Sequence, residues 1–200
     1  YSWSHNLALN GPSPYGDIDS SASIRRAKTS TDLTYFTLGL TNGLLGPFKD
    51  FALRTFDNAP SFSNLAFSGA SLRGAMITSP AFDKKFDYLA FWGREGGGRY
   101  GNLSPGLTKI KSAFLNGLNL NYAPDKSQNY RFSVVHGYGK DRLTYLNEYN
   151  YDLLSKWNFD KWGLSYELGY DSEKFAQLLN ARFNIPKLNF SAEIRNIDKS

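Results

Sequence analysis

The feature that most constrains this chain is a period-two alternation of apolar and polar residues through most of its last third, punctuated by turn signals. From Tyr151 it runs YDLLSKWNF, WGLSYELGY, FAQLLNARFNI and LNFSAEIRNI. Asp160–Lys161, residues 171–174 and Pro186–Lys187 separate these runs. Alternating runs joined by so few residues read as antiparallel hairpins. Pro186 falls in a turn, where its missing N–H removes no ladder bond.

The turns predict a register. A two-residue loop at 160–161 sets Phe159 opposite Trp162, Trp157 opposite Leu164, Leu153 opposite Leu168 and Tyr151 opposite Tyr170. The next turn sets Tyr170 opposite Phe175, Leu168 opposite Gln177 and Tyr166 opposite Leu179. The last sets Ile185 opposite Leu188, Phe183 opposite Phe190 and Ala181 opposite Ala192. All of these share one face. The other carries Lys156, Gly163, Ser165, Glu167, Gly169, Asn180, Arg182, Asn189, Ser191, Glu193 and Arg195. A slip of one residue would exchange the faces, so the pattern specifies its register.

The apolar face is itself ordered. Tyr151, Tyr170 and Phe175 lie along one edge, and Phe159, Trp162, Phe183 and Phe190 along the other. Mainly Leu and Ala lie between, interrupted by Ser155, Tyr166 and Gln177. Aromatic rows bracketing an aliphatic band are the expected lipid-facing surface of a barrel, because Tyr and Trp favour the headgroup level. The rival reading is an aromatic core in a soluble sandwich or barrel. On the membrane reading, Lys156, Glu167, Arg182, Glu193 and Arg195 line the lumen, with Arg182 diagonal to Glu193 and Lys156 diagonal to Glu167.

Upstream, strands are expected over 129–138, 113–122, 85–94, 68–78, 33–40, 2–10 and 18–27, for about ten to twelve in all. Thr41 to Lys49, rich in Gly and Leu, is expected to hold a short helical turn. Two connections read as long loops: Gly93 to Thr108, and Gly11 to Gly16 with its two prolines. The last three turns are all short, on both sides of the sheet.

Composition narrows the function classes. No run of 18 apolar residues occurs, so no transmembrane helix is expected, although a barrel needs none. The chain has no Cys, which excludes disulfides, thiolate metal sites and a Cys nucleophile. A net charge of +5, dispersed along the chain, gives no nucleic-acid footprint. Arg25, Arg26 and Lys28 read as a solvated strand end. Gly96, Gly98 and Gly101 match G-x-G-x-x-G, but Asn-Leu-Ser-Pro-Gly follows and cannot open the helix a dinucleotide needs. Arg94, Arg99 and Tyr100 read as loop residues. His5 and His136 are the only imidazoles, and neither has the company a metal site needs. Asp17 and Asp19 lack EF-hand spacing. No G-x-S-x-G elbow and no pairing of nucleophile with base is present, so the reading is not an enzyme and no cofactor is expected.

The stretch SGASLRGAMI (68–77), followed by YLAFWGRE (88–95), resembles a strand pair of large bacterial outer-membrane β-barrels, in which an L-R-G-A-like strand precedes one ending in G-R. The aromatic-edged hairpins after Tyr151 are similar in style. The resemblance implies a Gram-negative outer membrane, a transmembrane barrel and a role in transport or secretion. It carries over no binding residue. The chain starts at Tyr1 without Met or signal peptide and ends Asp-Lys-Ser rather than on an aromatic, so a processed product or a barrel segment is expected.

The expectation is therefore an all-β, antiparallel up-and-down transmembrane barrel, or a segment of a larger one, spanning residues 1–200 as one domain. Its partners would be the lipid bilayer and further strands of a longer chain or of other chains. The alternatives are a soluble β-sandwich or barrel binding carbohydrate or a protein partner, secreted or at the cell surface, and a structural subunit of a cell-surface assembly that pairs through its strand edges.

Overall fold

A computed structural model describes residues 3–26, 31–46, 48–62, 65, 71–81, 84–95, 114–140, 145–171, 174–185 and 188–197. They form twelve strands: β1 (Trp3–Ser13), β2 (Gly16–Arg26), β3 (Thr31–Leu45), β4 (Phe48–Asn58), β5 (Leu72–Ala81), β6 (Phe86–Glu95), β7 (Phe114–Asp125), β8 (Gln128–Lys140), β9 (Tyr145–Asn158), β10 (Trp162–Asp171), β11 (Lys174–Ile185) and β12 (Leu188–Ile197). Each pairs antiparallel with its sequence neighbours in a single sheet, ordered β1 to β12. The fold is all-β, up-and-down and barrel-like. The sheet is not closed: β1 and β12 are its two edges.

Every pairing predicted after Tyr151 is present. Trp157, Leu153 and Tyr151 face Leu164, Leu168 and Tyr170. Tyr170 and Tyr166 face Phe175 and Leu179, and Phe183 faces Phe190. At the 160–161 turn, Phe159 and Trp162 exchange both backbone bonds, at 2.8 and 3.2 Å.

The N-terminal half departs from expectation in three places. The described residues among 41–49 form no helical turn. They complete β3, turn at Gly46 and enter β4. A bulge shifts the register between Leu40 and Leu44, and Asn42 sits at φ +51°. The extra residue breaks the period-two pattern that would have marked a strand. β4 has no counterpart among the expected strands. Its Phe48, Phe51, Leu53 and Phe56 are spaced by three, two and three, off the period of two, and Asp50 and Phe56 adopt positive φ, 59° and 68°. Finally, 11–16 is not a long loop. β1 runs to Ser13 with Pro12 opposite Asp17, as an edge strand allows, and the turn is Pro14–Tyr15.

The connections differ at the two ends of the sheet. At one end they span only 14–15, 46–47, 82–85, 126–127, 159–161 and 186–187. At the other they span 27–30, 59–71, 96–113, 141–144 and 172–173. Short turns therefore occupy one end throughout, and the two long connections share the other.

The two faces have opposite character. Outward lie Leu153 (53% exposed), Phe190 (56%) and Ile194 (66%), together with Trp92, Phe132, Phe175 and Phe183. Inward lie Ser133 (0%), Asp152 (1%) and Glu167 (5%) beside Leu72, Phe91, Leu115, Val135, Leu154 and Leu178.

Candidate functional site

The outer face gathers its aromatics at both strand ends. Toward the long connections, neighbouring rings follow one another across β6 to β11. Trp92 stacks on Phe114 (6.0 Å between centroids), Phe114 on Tyr138 (5.5 Å) and Tyr138 on His136 (5.2 Å). His136 stacks on Tyr149 (4.1 Å), then Tyr149 on Tyr151 (6.2 Å) and Tyr151 on Tyr170 (6.4 Å), and Tyr170 meets Phe175 at a tilt (4.7 Å). Toward the short turns run Phe86–Tyr122 (4.5 Å), Tyr122–Tyr130 (6.4 Å), Tyr130–Trp157 (6.2 Å) and Phe159–Trp162 (4.3 Å), with Phe183 and Phe190 beyond. All seven aromatics predicted for the two rows lie on this face. Phe159 follows Tyr151, Tyr170 follows Trp162 and Phe183 follows Phe175 at one interval of eight residues, about 26 Å along a strand. His136 belongs to a ring row and bonds Asn147 Oδ1 through Nε2 at 2.8 Å.

Cross-strand rows organise the inner face. One runs Arg131, Leu154, Glu167, Leu178, Arg195. The next runs Asn129, Lys156, Ser165, Asn180, Glu193. A third holds Asn158, Gly163, Arg182 and Ser191. All five residues predicted on the polar side are therefore on one face, with Arg182 diagonal to Glu193 and Lys156 diagonal to Glu167 as expected, but neither diagonal closes into an ion pair among the described residues. Glu193 pairs with Arg195 of its own strand at 2.9 Å rather than with Arg182. Glu167 forms no ion pair with Lys156: its Oε1 accepts the Leu65 N–H at 3.1 Å.

That bond exposes a feature with no signal in the sequence. Pro60, Phe62 and Leu65, within the 59–71 connection, lie over the inner face. Pro60 is fully buried, and Phe62 packs on Phe91, with ring centroids 5.4 Å apart. A Cβ at Gly117 would lie 2.5 Å from Phe91 and 3.1 Å from Phe62, so only glycine leaves room for both rings. Leu65 reaches β10, where its Cβ lies 3.2 Å from the position a Cβ on Gly169 would occupy. At the base of the connection, Asp57 accepts the Phe36 N–H (2.7 Å) and pairs with Arg73 (3.0 Å), while Asn58 donates to the Phe56 and Gly74 carbonyls. Glu167 is thus an anchor under a covering segment, whereas Lys156, Arg182, Glu193 and Arg195 remain exposed on the inner face.

Asp152, Ser133 and Asn119 also belong to this face, and Asn119 Nδ2 donates to Ser133 Oγ at 3.1 Å. The sequence did carry their signal, since Asp152 shares the parity of Lys156. Two of the inner grooves involve these rows. One, about 450 Å³, lies over β9 to β12 among Lys156, Asn180, Arg182 and Glu193. The other, about 570 Å³, lies over β5 to β8 between Ser61 and a row of amides, Asn119, Asn121 and Asn129, with Asp87 and Arg131.

Among the described residues no cluster of three His, Asp or Glu is placed to hold a metal. Asp17 instead accepts a bond from Asn42 Nδ2 at 2.8 Å. Arg94 lies over the Phe114 ring at 6.0 Å. Gly96, Gly98, Arg99, Tyr100 and Gly101 lie outside the described residues, as does Lys28. The stretches that carry the outer-membrane resemblance pair directly, with Arg73, Gly74 and Ala75 opposite Arg94, Gly93 and Trp92. A Cβ at Gly74 would run into the Trp92 carbonyl, so this contact requires glycine.

No protein-family model matches the chain, and no curated protein matches it.

Proposed function

We propose that this sheet is the wall of a transmembrane β-barrel in a bacterial outer membrane, and that its inner face lines a passage for solute or polypeptide. The observation that carries this reading is the inversion of the two faces: large apolar side chains are exposed while Asp152, Ser133 and Glu167 are buried. A chain folded for water alone does the reverse, and exposed apolar surface on this scale needs something to cover it. Lipid fits better than a protein layer because aromatic rows bracket an aliphatic band at both strand ends. The separation of short and long connections to opposite ends follows the same plan. Passage is passive on this reading. The sheet satisfies its backbone bonds laterally, the inner charges bias what passes, and the covering residues of the 59–71 connection narrow the route.

A second reading, a subunit of a cell-surface assembly, is favoured by the two free edges, which can accept strands from other chains. Fractionation separates the two. The barrel reading predicts folded β structure that requires detergent, migrates differently in SDS before and after boiling, and gives discrete conductance steps in planar bilayers. Large stable multimers in plain buffer would favour the assembly instead.

A further inference from the structure

We propose that the groove over β9 to β12 is an oxyanion site, selecting phosphate and phosphate-bearing solutes. Lys156 and Arg182 both enter it, from strands two apart and rows one apart. That places their backbones roughly 12 Å apart across the sheet, within reach of one anion between two long side chains. Among the described residues neither cation has a carboxylate partner. The one acid in the groove, Glu193, is already offset by Arg195 at 2.9 Å, and Glu167 of the adjoining row is turned to Leu65. The remaining side chains supply neutral polar groups, the hydroxyls of Ser165 and Ser191 and the amide of Asn180. Gly163 keeps the floor low. A Cβ there would stand 3.1 Å from Asn158 Oδ1, tighter than an ordinary contact, and 4.0 Å from Arg182 Nη2. Arginine presents a planar fork of donors suited to phosphate, and lysine adds a mobile point charge.

The site rests on the passage reading for the direction of traffic, but the groove can be tested separately. The detergent-folded chain would be titrated with inorganic phosphate, with glucose 6-phosphate and with glucose, and the same protein would be placed in planar bilayers under a KCl gradient. Saturable binding of phosphate and the sugar phosphate, but not of glucose, is expected. Replacing Lys156→Gln or Arg182→Gln should weaken it about tenfold each, the loss of one charge-assisted bond. Lys174→Gln, on the same face outside the groove, should leave it unchanged and controls for general charge effects. Binding of the free anion but not of the ester would restrict the site to inorganic phosphate and overturn the wider class. Absence of phosphate binding, or binding indifferent to both substitutions, would overturn the site while leaving a conducting pore intact. Binding without conductance would uphold the site and contradict the passage.

Discussion

Glu167 shows how one side chain ties an irregular segment to a regular sheet. It is a carboxylate, 5% exposed, whose oxygen accepts a backbone N–H from a residue 102 positions earlier in the chain. A hydrogen bond to a charged group contributes about 1.5–3 kcal/mol, enough to hold a short segment down. Glu167→Ala should release the 59–71 connection. The expected result is faster proteolytic cleavage within it and larger single-channel conductance, with Glu167→Gln close to the parent because it keeps an acceptor. Unchanged cleavage in the Ala variant would show that Phe62 alone anchors the segment. Gly117 makes the complementary case. Gly117→Val would push branched carbons into Phe91 and Phe62 and should lower stability by about 1–3 kcal/mol, read from the urea midpoint of the detergent-folded protein.

The elements β9 to β12 are legible in the sequence because their alternation holds over most positions and their turns are short. Together these leave one register that segregates the faces. The site residues are legible as a face for the same reason. Their partners are not, since a diagonal neighbour within reach need not be the partner chosen. Arg195 two residues away captures Glu193, and a backbone N–H captures Glu167. β3 and β4 are obscured by positive φ at Asn42, Asp50 and Phe56, which moves side chains off the two-residue period. The inward position of Pro60, Phe62 and Leu65 is invisible because Ala-Pro-Ser-Phe-Ser-Asn reads as loop chemistry, and only tertiary packing decides where such a loop lies. At this scale a substitution on β9 is informative. Leu153 is 53% exposed, and in water Leu153→Arg should shift stability by no more than about 0.5 kcal/mol. Facing the lipid midplane, it should cost about 2–4 kcal/mol. The larger value is expected in unfolding from vesicles, with Ser155→Arg also destabilising and Lys156→Ala near neutral.

Across the whole molecule, the open demand is at the edges. β1 and β12 each present one row of unpaired backbone groups. In lipid such a row costs several kcal/mol per group and is not tolerated. Both edges are therefore expected to be met, by each other or by additional strands. The absence of native Cys makes this measurable, because introduced cysteines have no competitors. Cysteines introduced in pairs, one on β1 and one on β12, should cross-link in the membrane, within one chain if the sheet closes on itself and between chains if it is shared. Cysteines that stay reduced along both strands in a lipid-embedded protein would contradict pairing of β1 with β12, within or between chains, and leave additional strands to cover the edges.

The central claim is that the aromatic-edged face meets hydrocarbon and the opposite face meets water. Spin labels placed one at a time from Tyr151 to Phe159 in lipid vesicles test it directly, by comparing collision with oxygen, which partitions into lipid, and with a water-soluble nickel complex. A period of two is expected, with oxygen dominating at 153, 155 and 157 and nickel dominating at 156, and with the oxygen signal falling toward 151 and 159. Nickel access at 153, 155 and 157 equal to that at 156 would contradict the claim and return the apolar face to a protein partner.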